Sequence, residues 1–355
     1  SLDMRLLAIR YAAESYEKPL INNLESLLSS PQLKASEFHH LISALSFLRT
    51  GSASGAKRDP ARDQLLIDFF KDNTKPVALR QLALRQLPSS SKAIDSKSLL
   101  DLIKDSSLKE LHRDALAMLI ARHEESTIKI LDDLLLSNET QASFRADILA
   151  SLVSIPSWCD AWSDAKQAQL LSVSPDKNFA IEVQRVARAI RNLPAQDAQR
   201  PKRDSIDQWI KLINGGDALR GWRVWARSQC VQCHMMDGRG AELGPDLTAL
   251  QAASDRKRTL QSMLEPSREV APLFATWQIL TTDGRVLVGA KLNGGGVGTN
   301  LRFLASDGKV FEVALSEIET QRLSFKSIMP DDITDKLTID EIQDLLEYLS
   351  PSSSH

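Results

Sequence analysis

The sequence is poor in several features, and each shortage argues against a class of protein. Its apolar runs are short, residues 115–121 being among the longest, whereas a membrane-spanning helix needs roughly 18 apolar residues. We therefore expect no transmembrane segment. A net charge of −2 gives no indication of a nucleic-acid partner. No catalytic triad, phosphate-binding loop or paired-carboxylate signature supports a hydrolase or a nucleotide enzyme.

A signal peptide is not recognisable at the start of the sequence. The chain opens with Ser1-Leu2-Asp3 and passes directly into a helical pattern, so we expect a mature chain or an excised fragment. The chain has 355 residues, of which 43% are hydrophobic and 25% charged. These values are typical of an ordinary globular protein with two or three domains.

Only three cysteines are present, and two of them form a motif with a histidine. Cys230 and Cys233 are followed directly by His234, and random placement predicts only about 0.0004 such C-x-x-C-H pentapeptides. Two thiols at this spacing can bond the two vinyl groups of one haem while the next residue ligates its iron. A redox-active cysteine pair gives His234 no role, and a zinc site needs a fourth ligand from Cys159 or scattered histidines. We therefore predict one covalent haem at this motif.

Residues 1–193 have apolar side chains at three- and four-residue spacing throughout, which predicts a succession of helices. Similar helical stretches begin at four arginines, separated by 33, 32 and 40 residues: Arg80, Arg113, Arg145 and Arg185. One helical hairpin per 30 to 45 residues is typical of an α-solenoid. The pattern resembles HEAT-type repeats, and an irregular helical domain is the alternative.

The polar, proline-containing segment 194–204 is interpreted as a linker to a second domain at 205–355. In that domain we predict a β insertion at about 272–325, because two Asp-Gly pairs, Asp283-Gly284 and Asp307-Gly308, separate strand-like runs. The chain is expected to close with a helix from Thr338, whose sequence TIDE fits a capping box. The predicted fold is thus mainly α, with a β insertion in the second domain.

The residues around the motif resemble those of class I cytochromes c. Pro245 follows His234 by eleven residues in the sequence GPDL, and the resemblance implies that its carbonyl accepts the second ring N–H of His234. A plain turn proline is the alternative. Met329, in the sequence SIMP before the last helix, is the implied distal iron ligand. A thioether opposite imidazole raises the reduction potential of haem iron, which suits electron transfer.

The helix before the motif is predicted to cross the last helix of the chain. Gly221 permits close approach of the two helices, and Trp225 fills the space beside it against Tyr348. The separation of Trp225 from Cys230 is one residue longer than in the commonest class I pattern, which leaves the register of this helix open.

The whole stretch 216–349 resembles a haem-binding domain family found in planctomycetes and verrucomicrobia. The matching segments occur in order: CVQCH, LGPDLT, LEPSREV, TTDGRVLVG, SIMP and DLLEYL. In that family the domain often follows helical repeats and, further upstream, a β-propeller resembling sugar dehydrogenases. The resemblance implies that this chain is a piece of a larger redox protein without its propeller.

These observations together predict a c-type cytochrome electron-transfer module with one covalent haem c in His/Met ligation. The predicted haem-binding residues are Cys230, Cys233, His234, Pro245 and Met329. The expected partner is a redox protein or a dehydrogenase domain that donates electrons. A periplasmic or otherwise exported location is expected, because haem c is attached outside the bacterial cytoplasm. A haem peroxidase with an open distal site and a helical-repeat interaction scaffold are the alternatives.

Overall fold

The computed structural model describes most of the chain, and the described part is mainly helical with a five-stranded sheet towards its C-terminus. The predicted mainly α composition with C-terminal strands is therefore confirmed. The described residues are 2–30, 32–51, 59–88, 91–228, 230–237, 239–240, 244–248, 250, 255–292, 300–305, 309–324 and 326–352. Side chains are described for these residues except Asp3 and Leu273.

The chain divides into two compact units, Ser1–Arg122 and His123–His355. This division does not fall at the segment 194–204, which lies inside the second unit. The boundary differs because the helix Ala142–Leu152 packs both on Lys177–Ile190 and on Ala218–Arg227, the helix that precedes the C-x-x-C-H motif. The domain ranges 1–193 and 205–355 stay predictions, but 194–204 does not separate the two units.

The first unit consists of helices that pack as successive neighbours. Helix α4 packs on α5, α6 packs on α7, and α5 also contacts α7. Buried Arg80 of α5 donates from Nε to the carbonyl of Phe70 at 2.8 Å, where the end of α4 is electronegative. The helices are α1 (Leu2–Glu14), α2 (Ile21–Leu27), α3 (Ala35–Thr50), α4 (Pro60–Lys71), α5 (Val77–Gln86), α6 (Ser96–Lys104) and α7 (Lys109–Ala121).

The second unit begins with further helices and continues into the segment that carries the motif. Helix α9 packs on α8, on α12 and on α14. Asp176 caps α12 by accepting from the Phe179 backbone N–H at 2.8 Å. The helices are α8 (Glu125–Leu136), α9 (Ala142–Leu152), α10 (Pro156–Asp160), α11 (Asp164–Val173), α12 (Lys177–Ile190), α13 (Ile206–Leu212), α14 (Ala218–Arg227), α15 (Arg256–Leu264) and α16 (Ile339–Leu349).

Helices α14 and α16 cross closely, as predicted. A side chain at Gly221 would overlap the carbonyl oxygen of Asp344, so only glycine permits this approach. The rings of Trp225 and Tyr348 lie 6.2 Å apart beside the crossing. The predicted capping box at the start of α16 is also present, with Thr338 and Glu341 exchanging backbone-to-side-chain hydrogen bonds. The core around this crossing combines side chains of α13 to α16, among them Trp209, Val224, Leu260, Ile342 and Leu346.

The β insertion is an antiparallel sheet in the order β6-β5-β4-β3-β7. The Asp283-Gly284 turn lies between β3 and β4, with Gly284 at a φ of +84°, whereas Asp307-Gly308 lies outside the described residues. Strand β7 was not predicted, and it pairs with β3. The sheet has a core of its own, formed around Ile279, Phe303 and Val313. The strands are β1 (Met235–Met236), β2 (Arg239–Gly240), β3 (Thr276–Thr281), β4 (Val286–Lys291), β5 (Asn300–Leu304), β6 (Val310–Ala314) and β7 (Ile318–Ser324).

Among the helices in the described ranges, none combines the length and the apolar character that a membrane crossing requires.

Candidate haem-binding site

The C-x-x-C-H motif lies directly after α14, on one tight turn of chain. Cys230–Gln232 form a 3-10 helix, and the His234 backbone N–H donates to the Cys230 carbonyl at 2.9 Å. Both thiols are free in this part of the structure. Burial raises the pKa of the Cys230 thiol to about 12 and also raises the pKa of Cys233. Both side chains are therefore neutral thiols near pH 7.

His234 is oriented by one hydrogen bond, in which its Nδ1 lies 2.9 Å from the Pro245 carbonyl oxygen. A carbonyl oxygen can only accept, so Nδ1 carries the proton and Nε2 keeps its lone pair. Burial lowers the pKa of His234 below its ordinary 6.5, although the bond to Pro245 opposes that effect. The structure thus presents a neutral imidazole with Nε2 available to a metal ion, and the contact expected between His234 and Pro245 is present.

Two glycines allow the chain to fold closely around His234. A side-chain carbon at Gly244 would lie 3.0 Å from imidazole Cε1 and Nδ1, and the Gly244 N–H donates to the Cys233 carbonyl at 2.6 Å. Gly240 has a φ of +109°, and a side chain there would overlap the His234 carbonyl. The loop carrying Pro245 can reach the imidazole because both positions lack a Cβ.

The imidazole lies beside the core of the second unit. The ring of Trp225, which is 3% exposed, has its centroid 6.3 Å from that of His234. The sequence assigned Trp225 only to the helix crossing, whereas the structure shows that it contacts both Tyr348 and the motif. Met236 is fully buried and Met263 is nearly so, which agrees with core packing for both.

Met329 packs against the same hydrophobic core as Cys230 and Leu247. Its loop is ordered by local bonds, because its backbone N–H donates to Ser327 Oγ at 3.1 Å. The structure therefore brings four predicted residues, Cys230, Cys233, His234 and Pro245, into contact through the turn, and it places Met329 on the core that the motif borders.

The chemistry of the motif residues can be compared with what a redox pair, a metal site and a c-type haem each require. A redox-active pair requires a thiol with a lowered pKa, whereas both pKa values here are raised. Within the described ranges, no three His, Cys, Asp or Glu side chains, those of the motif included, form a group that could hold a metal ion. A metal-ligating histidine whose second nitrogen donates to a backbone carbonyl is the arrangement that haem ligation needs.

Sequence reasoning missed a buried ionic cluster beside the motif. Arg227 lies three residues before Cys230, is 4% exposed as a residue and pairs with Glu182 of α12 at 2.6 Å and with Glu341 of α16. Arg188 also pairs with Glu341. The pKa of Glu341 is raised by burial, but the neighbouring arginines outweigh that effect and hold it below its ordinary value. Charged residues in a helical pattern are normally assigned to the surface, so the sequence carried no signal for this cluster.

No family model matches the chain, and no curated protein matches it either.

Proposed function

We propose that this protein binds one c-type haem through Cys230 and Cys233, ligates its iron with His234 and Met329, and transfers single electrons. The observation that carries the proposal is the hydrogen bond from His234 Nδ1 to the Pro245 carbonyl within a C-x-x-C-H turn. A haem bound there supplies an iron that gains or loses one electron.

The chain's own residues contribute orientation and exclusion of water. The Pro245 carbonyl fixes the tautomer of His234 and strengthens its basicity as a ligand. Buried Trp225 covers one side of the imidazole. With Met329 also holding the iron, a bound haem would have no coordination site left for peroxide, which favours a carrier over the peroxidase-type alternative.

The wider organisation that we propose is a HEAT-like helical repeat region followed by a class I-like cytochrome c domain with a β insertion. Support for the repeats comes from the successive packing of α4 on α5, α6 on α7 and α8 on α9. Support for the cytochrome domain comes from the crossing of α14 and α16 at Gly221. We further propose that the chain belongs to an exported or periplasmic redox protein and accepts electrons from a dehydrogenase.

Extraction of denatured protein with acidic organic solvent tests the covalent attachment. The protein must be produced in a host that attaches haem c. Haem should remain with the wild-type polypeptide and with Cys159→Ser, the matched control, because the Cys159 thiol instead contacts the Val153 carbonyl. Cys230→Ser and Cys233→Ser should retain one thioether or fail to mature. Haem that leaves the wild-type chain with the solvent contradicts the proposal.

The scaffold alternative is separated by a second measurement, on the double variant Cys230→Ser with Cys233→Ser. If the helical region acts mainly as an interaction platform, removal of both motif cysteines leaves partner binding and the activity of the complex unchanged. If electron transfer is the function, the double variant is no longer reduced by the partner, while the far-ultraviolet circular dichroism signal of its helices is unchanged.

A further inference from the structure

The segment between α12 and α13 is bound to the chain that follows Met329. We call residues 195–203 the strap. The Arg200 guanidinium donates to two backbone carbonyls, those of Leu337 at 2.9 Å and of Thr334. Both carbonyls belong to the short stretch that connects Met329 to α16. A planar guanidinium can bridge two carbonyls in this way, whereas a lysine ammonium lacks the fork.

Two further contacts extend the strap along the same stretch. Asp197 accepts from the Ile339 backbone N–H at 3.1 Å and from Arg200 Nη1 at 2.9 Å. The Ala195 N–H donates to the Asp335 carbonyl at 3.0 Å. Asp197 therefore satisfies a free N–H at the first residue of α16 and also holds Arg200 in place. Four hydrogen bonds thus join the strap to the backbone of the chain from Thr334 to Ile339.

Arg200 is itself held by the core of the unit. Its guanidinium lies over the ring of Trp209, 5.2 Å from the centroid, and Trp209 is fully buried. The Trp209 indole N–H donates to the Lys202 carbonyl at 3.0 Å, so the strap is fixed to α13 as well. A side chain fixed at both ends loses little further entropy when it binds a backbone carbonyl.

The other side of the Met329 loop is anchored independently. The Ser327 N–H donates to Ser267 Oγ at 3.1 Å, and Thr276 Oγ1 donates to the Lys326 carbonyl at 2.8 Å. Between this anchor and the strap, only residues 328–333 remain. A loop fixed at both ends presents its side chain in a narrow range of positions.

We propose that Arg200 is a positioning residue that holds the Met329 loop so that its thioether stays on the haem iron. The inference rests on the proposed function, since it requires Met329 to be a ligand. The role proposed for Arg200 is indirect, because its guanidinium acts through the backbone carbonyls of Thr334 and Leu337. The neighbouring pair of Arg203 with Asp335 is half-exposed on both sides and contributes little by comparison.

The experiment compares Arg200→Ala with wild type in the full-length haem-loaded protein. Two readouts concern the iron: the rate of carbon monoxide binding to reduced protein, and the reduction potential. A third concerns the chain alone: hydrogen exchange of the amides from Asp335 to Ile339. Arg258→Ala is the matched control, because its ion pair with Glu269 is exposed on both sides.

We expect Arg200→Ala to keep its haem covalently attached, to bind carbon monoxide roughly ten- to a hundredfold faster, and to have a lower potential. This range is what one hydrogen bond from a charged donor contributes, so it is the smallest effect expected when both bonds of Arg200 are lost. Exchange at Ile339 should accelerate, and Arg258→Ala should match wild type in every readout. Arg200→Lys keeps the charge and reaches one carbonyl, so its rate of carbon monoxide binding should lie between those of wild type and Arg200→Ala. It replaces Arg200→Ala as the test variant if the alanine variant does not fold.

Two results overturn the inference in distinguishable ways. If both Arg200 variants match wild type while Met329→Ala raises the carbon monoxide rate, the positioning role is wrong and the proposed function stands. If Met329→Ala itself changes neither the rate nor the potential, His/Met ligation is wrong and the inference fails with it.

Discussion

The most informative stability test concerns the buried arginine beside the C-x-x-C-H motif. Arg227 and Glu182 each have side chains that are 1% exposed, and Glu341, the second partner of Arg227, is fully buried. Replacement of Arg227 by methionine preserves much of the volume but removes the only charge that pairs with Glu182 among the ion pairs of the described residues. Glu341 keeps its pair with Arg188.

The expected cost follows from the burial of these groups. Removal of one partner from a buried ion pair typically costs about 3–5 kcal/mol, because it leaves an uncompensated charge out of water. Arg227→Met should therefore lower the free energy of unfolding by about 3–5 kcal/mol. The double variant Arg227→Met with Glu182→Leu should recover most of this loss, since no unpaired carboxylate remains at position 182. Arg258→Ala, with its exposed pair, should cost about 0–1 kcal/mol.

The free energy of unfolding is measured by urea denaturation with a probe that reports on the second unit. A haem bound at Cys230 and Cys233, as proposed, would report on this unit through its absorbance, and far-ultraviolet circular dichroism follows both units. The reasoning is refuted if Arg227→Met costs no more than Arg258→Ala, or if the double variant is less stable than the single one. Either result would mean that the stability of the protein does not depend on the ion pair between Arg227 and Glu182.

Three further predictions concern single positions. Gly244→Ala should push the imidazole of His234 away from the Pro245 carbonyl and raise the reduction potential of a bound haem, measured by redox titration, because a less basic imidazole stabilises ferric iron less; an unchanged potential would show that the 3.0 Å approach is not limiting. Gly221→Val should lower the free energy of unfolding by at least about 1–3 kcal/mol, and with it the melting temperature, because its side chain would overlap the Asp344 carbonyl. A variant that melts at the wild-type temperature would show that α14 and α16 do not approach each other at this position. The pKa of Glu341 is held below its ordinary 4.5, so its stabilising contribution is complete above pH 4.5 and is lost as pH falls through the folded pKa. Glu341→Gln should flatten the acid limb of the unfolding curve, and an identical acid limb contradicts this.

Local sequence signals predicted the elements that depend on short-range chemistry. The strand-like runs 276–280 and 286–292 on either side of Asp283-Gly284 predicted two strands, and the structure has Thr276–Thr281 and Val286–Lys291, because a turn of this type fixes its flanks. The capping box at Thr338 was also recognisable, because it depends only on Thr338 and Glu341, three residues apart. Strand β7 was missed because its side chains are mostly exposed, so its sequence lacks the apolar alternation that identifies a strand.

Long-range polar contacts could not be predicted from the sequence. The segment 194–204, which contains the strap, was interpreted as a linker because it is polar, has two prolines and shows no periodicity. Its binding to the chain after Met329 depends on Arg200 reaching carbonyls more than 130 residues away. Arg227 likewise appeared to be an ordinary charged residue of a helix, and only the packing of α12 and α16 around it shows that it is buried.

Absorption spectroscopy tests the central claim most directly, because it reports the type of haem and its ligands together. The oxidised and reduced spectra of wild-type protein should be those of a haem with two thioether bonds and His/Met ligation. The sulfur-to-iron charge-transfer band of the oxidised form should disappear in Met329→Ala while the thioether haem signature remains. A purified protein that shows no haem absorbance after production in a host competent for haem c attachment would contradict the account, as would a haem whose spectrum is unchanged by replacement of His234.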